Sequence, residues 1–355
     1  MHLVNLSFAF AAFASAASSL PTEQASHADK SLRDVVVFPN GTWVENIAVR
    51  SNGNLLVTLF NVPEVWEVEP RTGSAELVYS FPNANVSLGI AEVGHDIFAV
   101  NVGSISGPGQ GIPGSWSIWT LDYNTAHTEG SSNHYQPSSS YKPTGKKVAA
   151  IPPAVFLNGL ATLPTNAGLV LTGDSFLGQV FAVDTLSGRY SVAVDVPELK
   201  RNTSAAIQIG VNGIRVFNKH LYFVNSFKSP LLAKIPLSIS GRAAGPVKTI
   251  AKSPQYPIDL GFQADDFALD ATAEYAWITT NPSNVIVKLA IATGKQQVVG
   301  GGKSDPTVAG ATSAAFGRNW YDKQTLYIVT DGGLADPTSA GVAGGKIVAL
   351  DTTKV

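Results

Sequence analysis

The chain has 355 residues, of which 45% are hydrophobic and only 14% are charged, against roughly 25% charged residues in a typical soluble domain. The formal net charge of −2 provides no overall field that would attract nucleic acid or an anionic membrane. The absence of cysteine excludes a disulfide scaffold, a thiol nucleophile, a thiolate zinc site and an iron–sulfur cluster. The 33 glycines and 21 prolines favour a turn-rich protein with few long helices.

The N-terminal segment has the pattern of a secretory signal peptide over residues 1–17. The apolar run from Phe8 to Phe13 is too short to span a membrane, and the small residues Ala14–Ala16 follow it. The alternative is an N-terminal helix of the folded domain. We expect residues 18–33 to form a flexible segment and the later sequence to contain no membrane span.

Three N-glycosylation sequons support the secretory route, and they begin at Asn40, Asn85 and Asn202. A fourth asparagine, Asn281, is disqualified because Pro282 follows it. The sequence therefore predicts a glycosylated protein that is secreted or lies in the lumen of the secretory pathway.

A strand pair recurs six times along the chain, and such a period indicates a repeat architecture. In each copy an apolar strand with a small or polar start is followed by a strand that usually ends in Thr or Asn. The six pairs are 45–49 with 55–58, 89–91 with 97–101, 158–161 with 169–172, 212–214 with 221–225, 266–269 with 276–279, and 311–314 with 326–330.

A third strand with alternating polarity follows each pair, and a fourth strand follows five of them. The third strands are 64–69, 117–122, 179–184, 231–237, 285–289 and 346–351, and the fourth strands are 77–82, 148–152, 190–197, 247–250 and 296–299.

The sixth copy ends before a fourth strand, but Asp34–Pro39 precedes the first copy and resembles the missing piece. A strand from the N-terminus would complete the last blade and remove an open sheet edge. We therefore predict an all-β, six-bladed β-propeller over residues 34–355, closed by an N-terminal strand in the last blade. A sandwich or barrel would not explain six copies and a displaced strand.

In a propeller the first strand of each blade lines the central channel, and its start lies on the same face as the end of the second strand. The repeat therefore predicts one polar channel mouth, the default place for a binding site. Its members are Glu45, Asn158, Asn212 and Asp266, with Thr58, Asn101, Thr172, Asn225, Thr279 and Thr330. The alternative is that these Asn and Thr side chains satisfy backbone groups at strand ends.

Other segments are placed by the same repeat. The long glycine-rich connections 102–115 and 331–345 should open on the face of the mouth and could act as lids. The polar insertion 123–147 should leave the opposite face, and we expect it to be a disordered excursion. Trp277, beside a channel strand, is the tryptophan that we expect to contact a planar ligand.

Glu45 on the first inner strand and Asn158-Gly159 on a later one resemble the gluconolactonase/regucalcin-like propellers, also called SMP-30-like. The resemblance implies a divalent cation held in the channel by a Glu, an Asn and an Asp, with the Asp also acting in lactone hydrolysis. At the position of that Asp this chain has Asn212-Gly213, and an amide can neither act as a base nor supply a ligand charge.

The opening Trp43–Arg50 followed by Leu55–Thr58, together with the leader and the sequons, resembles a fungal secretory branch of these propellers. That branch includes hetero-Diels–Alderases of tropolone–sesquiterpenoid biosynthesis, which act in secondary metabolism. The resemblance implies a cycloaddition without cofactor or metal between a quinone methide from a tropolone-type precursor and an alkene of humulene.

In this hypothesis Asn158, Asn212, Asn225 and Thr330 donate hydrogen bonds. Glu45 acts as an acid or base, and Glu45 or Asp266 assists the loss of water. Its partners are small hydrophobic or polyketide-type substrates, and no nucleic acid.

Two alternatives remain open. The first is a lactonase or related hydrolase that depends on Ca²⁺ or another divalent cation, held by Glu45, Asn158 and either Asn212 or Asp266. The second is a propeller that binds a ligand at its mouth without catalysis. Loss of activity with EDTA and its recovery with calcium would separate the first alternative from a cofactor-free reaction.

Overall fold

A computed structural model describes residues 31–107, 109–124, 142–166, 168–205, 207–252 and 263–355. The predicted signal peptide, nearly all of the segment 18–33 and most of the insertion 123–147 lie outside the described residues. Among the described residues, no helix is long and apolar enough to cross a membrane.

Six four-stranded antiparallel sheets form the blades of the propeller, as the repeat predicts. Blade one contains β2 (Val44–Val49), β3 (Leu55–Leu59), β4 (Glu64–Glu69) and β5 (Ser74–Ser80). Blade two contains β6 (Val86–Gly94), β7 (Ile97–Gly103), β10 (Ser117–Asp122) and β11 (Thr144–Ala150). Blade three contains β12 (Leu157–Thr162), β13 (Leu169–Asp174), β14 (Gln179–Asp184) and β15 (Tyr190–Val194).

The next two blades repeat this order. Blade four contains β16 (Val211–Phe217), β17 (His220–Asn225), β18 (Leu232–Pro236) and β19 (Lys248–Ala251). Blade five contains β20 (Ala264–Leu269), β21 (Tyr275–Thr280), β22 (Val285–Ala290) and β23 (Gln296–Gly301).

Blade six joins the two ends of the chain. It contains β24 (Ala311–Phe316), β25 (Thr325–Thr330), β26 (Lys346–Asp351) and, as its outer strand, β1 (Leu32–Val37). β1 pairs antiparallel with β26 from Leu32 opposite Leu350 to Val37 opposite Lys346. The predicted ring closure is confirmed, and the closing strand begins two residues before the expected Asp34.

Two differences from the predicted elements concern blade two. β11 begins at Thr144 rather than at residue 148, because Thr120 of β10 pairs with Lys146 and extends the sheet into the polar segment. The insertion therefore does not reach Lys147. The glycine-rich connection 102–115 also contains a small hairpin, β8 (Ile105–Gly107) with β9 (Gln110–Gly111), which the pattern did not predict.

The hydrophobic core consists of six clusters, and each lies between two neighbouring blades. Alternation along a strand produces this arrangement because successive side chains point to opposite faces of the sheet. In β3, Leu55 and Val57 belong to the cluster shared with blade six, whereas Leu56 belongs to the cluster shared with blade two. Both faces of each blade are thereby buried, and this explains why the second strands are continuous apolar runs.

The inner strands of blades two to four approach one another so closely that only glycine fits between them. A Cβ atom on Gly159 would lie 2.3 Å from the backbone oxygen of Asn212, and one on Gly89 would lie 2.3 Å from the backbone oxygen of Asn158. Glycine in a strand interior often marks such a close backbone approach.

We expect Gly159→Ala to lower the free energy of unfolding by about 3 kcal/mol, because the added methyl group meets backbone that cannot move without shifting blade four. Gly173→Ala in the same blade is the matched control, since its Cβ would lie 3.5 Å from the nearest atoms. Chemical denaturation of both variants measures the difference, and equal destabilisation would contradict this account of the packing.

Candidate functional site

Every inner strand contains a bulge near its start, at the end of the channel that we call the upper end. In blade four, Val211 pairs with Asn225 but Ile214 pairs with Phe223, so Asn212 and Gly213 together face one residue. The same shift occurs in the other five blades. A bulge redirects side chains and is frequent beside active sites.

Each bulge contains two adjacent residues of its inner strand, and we call the twelve bulge residues of the six blades together the bulge ring. Its pairs are Glu45–Asn46, Leu88–Gly89, Asn158–Gly159, Asn212–Gly213, Asp265–Asp266 and Thr312–Ser313. The structure thus brings together, in one ring, the four residues that the sequence predicts as catalytic: Glu45, Asn158, Asn212 and Asp266.

Asp266 is the most heavily bonded residue of the bulge ring, and its exposure is 2%. Its Oδ2 accepts hydrogen bonds from Ser313 Oγ at 2.6 Å, Arg215 Nη2 at 2.8 Å and Asn46 Nδ2 at 3.2 Å. Its Oδ1 accepts from the backbone N–H of Phe267 at 2.8 Å. This geometry suits a structural anchor better than the acid or base that the sequence predicts.

Glu45 has a different environment, although its exposure is also only 6%. Its Oε2 accepts a hydrogen bond from Trp43 Nε1 at 2.7 Å, and its Oε1 has no partner among the described residues. Burial raises the pKa of Glu45 to about 8, and the nearby carboxylates of Asp266 and Asp331 act in the same direction, against the Trp43 hydrogen bond. The protonated form of this carboxyl group therefore predominates at neutral pH and can donate a hydrogen bond.

Asp265 is a functional candidate that the sequence analysis missed. It occupies the first bulge position of blade five, and its Oδ1 accepts a hydrogen bond from Asn212 Nδ2 at 2.7 Å. Burial, followed by repulsion from Glu45 and Asp266, raises its pKa. Alignment of Asp265-Asp266 with Asn158-Gly159 and Asn212-Gly213 could have identified it, because the first residue of each pair occupies the equivalent position.

The two asparagines differ in how their amides are used. Asn212 Nδ2 also donates to Ser226 Oγ at 3.0 Å, which leaves its Oδ1 without a partner among the described residues. The side-chain amide of Asn158 has no hydrogen-bond partner among the residues that the structure describes. The backbone oxygen of Asn158 accepts a hydrogen bond from Asn101 Nδ2 at 2.6 Å. These amide atoms, Glu45 Oε1 and the second carboxyl oxygen of Asp265 are polar groups available to a ligand.

The predicted binding residues on the second strands are buried, and several of them support the bulges. Thr58 Oγ1 accepts from the backbone N–H of Asn46 at 3.1 Å. Thr279 Oγ1 accepts from the backbone N–H of Asp266 at 3.2 Å and donates to its backbone oxygen at 2.9 Å. The alternative of strand-end satisfaction describes these threonines better than ligand contact.

The other predicted residues of the second strands also bond neighbouring protein groups. Thr172 Oγ1 donates to Asn101 Oδ1 at 3.1 Å, and this pair supports the Asn158 backbone. Asn225 bonds backbone groups of the adjoining loops, with its Nδ2 donating to the Glu198 oxygen at 3.0 Å. Thr330 Oγ1 accepts from the backbone N–H of Lys346 at 3.1 Å.

Two aromatic residues and one loop complete the upper end. Trp43 stacks on Phe60 with ring centroids 4.7 Å apart, which gives Glu45 an aromatic neighbour. Trp277, by contrast, lies in the core between blades five and six, edge-on to Phe316 at 6.1 Å. Asp331, where the connection 331–345 begins, accepts hydrogen bonds from three successive backbone N–H groups, and burial raises its pKa to about 6.

The predicted glycosylation sites have different surroundings. Asn40 and Asn85 are exposed, and Asn202 is half-buried. The Asn85 amide bonds both backbone groups of Ile105, at 2.9 Å each.

The oxygens of Glu45, Asn158 and Asn212 are of the type that Ca²⁺ prefers. Among the described residues, however, no group of three or more His, Cys, Asp or Glu side chains is placed to hold a metal ion. These three residues offer at most one negative charge to a cation, because both asparagine amides are neutral. The donor set therefore fits a divalent cation poorly.

Glu45→Gln should change the pH dependence of stability. The folded-state pKa of about 8 exceeds the ordinary glutamate value of 4.5, so the folded protein holds a proton that the unfolded chain releases as the pH rises between these values. Wild-type stability therefore falls in this window. We expect the variant to gain at least about 1.4 kcal/mol relative to wild type between pH 5 and pH 9.

Denaturation midpoints measured across this pH range test the expectation. Glu64→Gln is the matched control, because Glu64 Oε2 accepts from Trp66 Nε1 at 2.9 Å with the same sequence spacing, on the third strand of blade one, away from the channel. A stability difference between wild type and Glu45→Gln that does not vary with pH would contradict the buried, protonated carboxyl group.

Comparison with known proteins adds sequence relatives and shared folds. No family model matches the chain. A protein of a Phoma species, provisionally named a hetero-Diels-Alderase, is 30% identical over 322 residues, which cover 82% of this chain and 84% of that protein. A second protein with that provisional name, from Sarocladium schorii, is 28% identical over 358 residues, covering 89% of this chain and 82% of the relative.

Solved structures share the fold at low sequence identity. A luciferin-regenerating enzyme superimposes with a TM-score of 0.60 at 14% identity, over 90% of this chain and 94% of the other. Regucalcin from Agrobacterium tumefaciens has a TM-score of 0.54 at 14% identity, over 89% of this chain and 95% of the other. With 30% identity across more than four-fifths of both chains, the protein belongs to the family of the Phoma relative that is provisionally named a hetero-Diels-Alderase.

Proposed function

We propose that the chain catalyses a hetero-Diels–Alder cycloaddition between a quinone methide, formed from a tropolone-type precursor, and an alkene of a sesquiterpene such as humulene. The reaction takes place at the upper end of the channel. The observation that carries this proposal is the meeting of Glu45, Asn158 and Asn212 in the bulge ring, beside the stacked Trp43 and Phe60. A cycloaddition needs alignment of two partners and hydrogen-bond donors. Glu45 and Asn158 supply the donors, and Asn212, whose Nδ2 is engaged by Ser226 and Asp265, offers its Oδ1 as an acceptor.

The chemistry balances without a redox partner. The conjugated C=C–C=O unit of the quinone methide and the C=C unit of the alkene form one C–C and one C–O bond, and no atom leaves. Negative charge grows on the carbonyl oxygen as the alkene attacks, so a donor at that oxygen lowers the barrier.

Glu45 is the donor in this proposal. The Trp43 hydrogen bond engages Oε2 as an acceptor, which leaves Oε1 as the oxygen that carries the proton toward the substrate. Burial keeps the pKa of Glu45 at about 8, so the acid form is available at neutral pH. The amide of Asn158 supplies a second donor.

The same residues can form the quinone methide. The C–O bond of a hydroxymethyl group breaks as Glu45 gives its proton to the departing oxygen, and water leaves. Repulsion between Glu45 and Asp265 favours a state in which one of them is protonated and the other is ionised. The neighbouring ring hydroxyl loses its proton to the ionised Asp265, which restores charge balance, and this proton returns to Glu45 before the cycloaddition, so that the acid form is regenerated. Asp265 replaces Asp266 in this role, because hydrogen bonds occupy both oxygens of Asp266.

Turnover of a tropolone-type precursor with humulene, followed by chiral chromatography and mass spectrometry, tests the proposal. We expect Glu45→Gln to reduce kcat/KM for the hydroxymethyl precursor by about 100-fold, because an amide can donate a hydrogen bond but cannot give a proton to the departing oxygen. Glu64→Gln should leave it unchanged. Equal activity of Glu45→Gln and wild type would overturn the role of Glu45.

Chelation separates the alternatives. We expect cycloaddition to persist after EDTA treatment. Loss of activity with EDTA and its recovery with calcium would instead favour a metal-dependent lactonase or hydrolase. Ligand binding at the mouth without turnover of any substrate would favour a non-catalytic binding protein.

We also infer that the protein enters the secretory pathway. The sequons and the exposure of Asn40 and Asn85 support this inference. We expect a glycan at Asn40, because the Asn85 amide is engaged with Ile105. A mass decrease on treatment with an N-glycosidase, absent in Asn40→Gln, would confirm it, and an unmodified Asn40 would contradict it.

A further inference from the structure

A cavity lies at the lower end of the channel, opposite the bulge ring. Its volume is about 350 Å³, and the lower halves of all six inner strands line it. This volume lies within the range of small-molecule sites. None of the residues proposed above for cycloaddition lines this cavity.

Apolar side chains form most of the wall, and many of them are alanines. Ala91, Ala161, Ala268 and Ala314 come from four different blades. The inner strands are held apart at the lower end of the channel by the ring of blades. The short alanine side chains do not fill the space between them. Phe316, held edge-on against Trp277 at 6.1 Å, adds a flat apolar surface.

Arg215 and Asp270 are the charged residues that line the cavity. The Asp270 carboxylate accepts backbone N–H groups of its own turn, including those of Glu274 at 2.9 Å and Tyr275 at 3.0 Å. Asp270 therefore stabilises its own turn, and Arg215 is the charged group of the cavity wall that can bind a ligand.

The Arg215 guanidinium keeps donors free. Nη1 donates to the Ile214 oxygen at 2.8 Å, and Nη2 donates to Asp266 Oδ2 at 2.8 Å and, weakly, to the Ala314 oxygen at 3.5 Å. A guanidinium has five N–H groups, so two have no protein partner in the described part of the chain. The side chain is 22% exposed.

The Arg215–Asp266 ion pair separates the two ends of the channel. Asp266 belongs to the bulge ring, whereas Arg215 belongs to the lower cavity. Because the pair is neutral as a whole, Arg215 acts on a ligand mainly through directed N–H groups rather than through net charge.

We propose that the lower cavity is a separate binding site for a compact apolar molecule that carries one carbonyl or carboxylate oxygen. The apolar body contacts the alanines and Phe316, and the oxygen accepts from the free N–H groups of Arg215. No chemistry takes place there. The proposal does not depend on the cycloaddition.

Calorimetric titration of the full chain with 1-naphthoate, and with naphthalene as the analogue that lacks the oxygen acceptor, tests the site. Ala271 is an exposed residue of the cavity wall, and Ala271→Trp should cover the opening. Ala292→Trp, at an exposed turn of the same blade and outside the cavity wall, is the matched control. Thermal unfolding verifies that both variants fold.

We expect Ala271→Trp to weaken 1-naphthoate binding at least tenfold and Ala292→Trp to change it less than twofold. Naphthalene should bind wild type at least tenfold more weakly than 1-naphthoate. Absence of 1-naphthoate binding, equal effects of the two variants, or equal affinity for the two probes would overturn the proposal. These are binding measurements on variants outside the bulge ring, so their outcome is independent of whether Glu45 supports cycloaddition.

Discussion

The carboxylate of Asp266 ties four inner strands together at the axis of the propeller. It accepts hydrogen bonds from Asn46 of blade one, Arg215 of blade four and Ser313 of blade six while it stands in blade five. A buried carboxylate with incomplete partners would cost several kcal/mol. The geometry at the axis therefore depends on all three partners being present together.

The channel is asymmetric because of this anchor. On the side of blades two to four, the second residue of each bulge is a glycine, and the backbones of neighbouring inner strands are in contact at Gly89 and Gly159. On the other side Asp266, Ser313 and Asn46 fill the axis with bonded side chains, and a Cβ on Gly213 would lie 2.0 Å from Asp266 Oδ1. The channel is consequently divided into an upper polar end and a lower apolar end, each with its own chemistry.

The anchor also shapes the chemistry of the upper end. Glu45 is buried near the Asp266 carboxylate, which adds repulsion to the effect of burial and favours the acid form. The replacement of a carboxylate by Asn212 is partly offset, because Asp265 supplies a carboxyl group one blade later and bonds the Asn212 amide. A neutral acid, two amides and an aromatic stack suit stabilisation of a polarised carbonyl better than tight binding of a cation.

The sequence by itself determined the six blades, the closing strand and the meeting of Glu45, Asn158 and Asn212, because strand alternation and an internal repeat are properties of the chain read in order. Alignment of the inner strands indicates that Asp265 is equivalent to Asn158 and Asn212, but the hydrogen bonds that distinguish Asp265 from Asp266 depend on the bulge and on partners in other blades. The sequence predicted ligand contact for Thr58, Thr279 and Trp277, whereas the structure shows the threonines bonded to the bulge backbone and Trp277 in the core between blades five and six.

The pKa of Glu45, the bonds of Asp266 and the cavity below Arg215 were decided by tertiary structure alone. Each depends on groups that are distant in sequence, as when Asn46 bonds Asp266 across 220 residues. Burial and neighbouring charge are set only when the ring closes, and no pattern within one blade contains them.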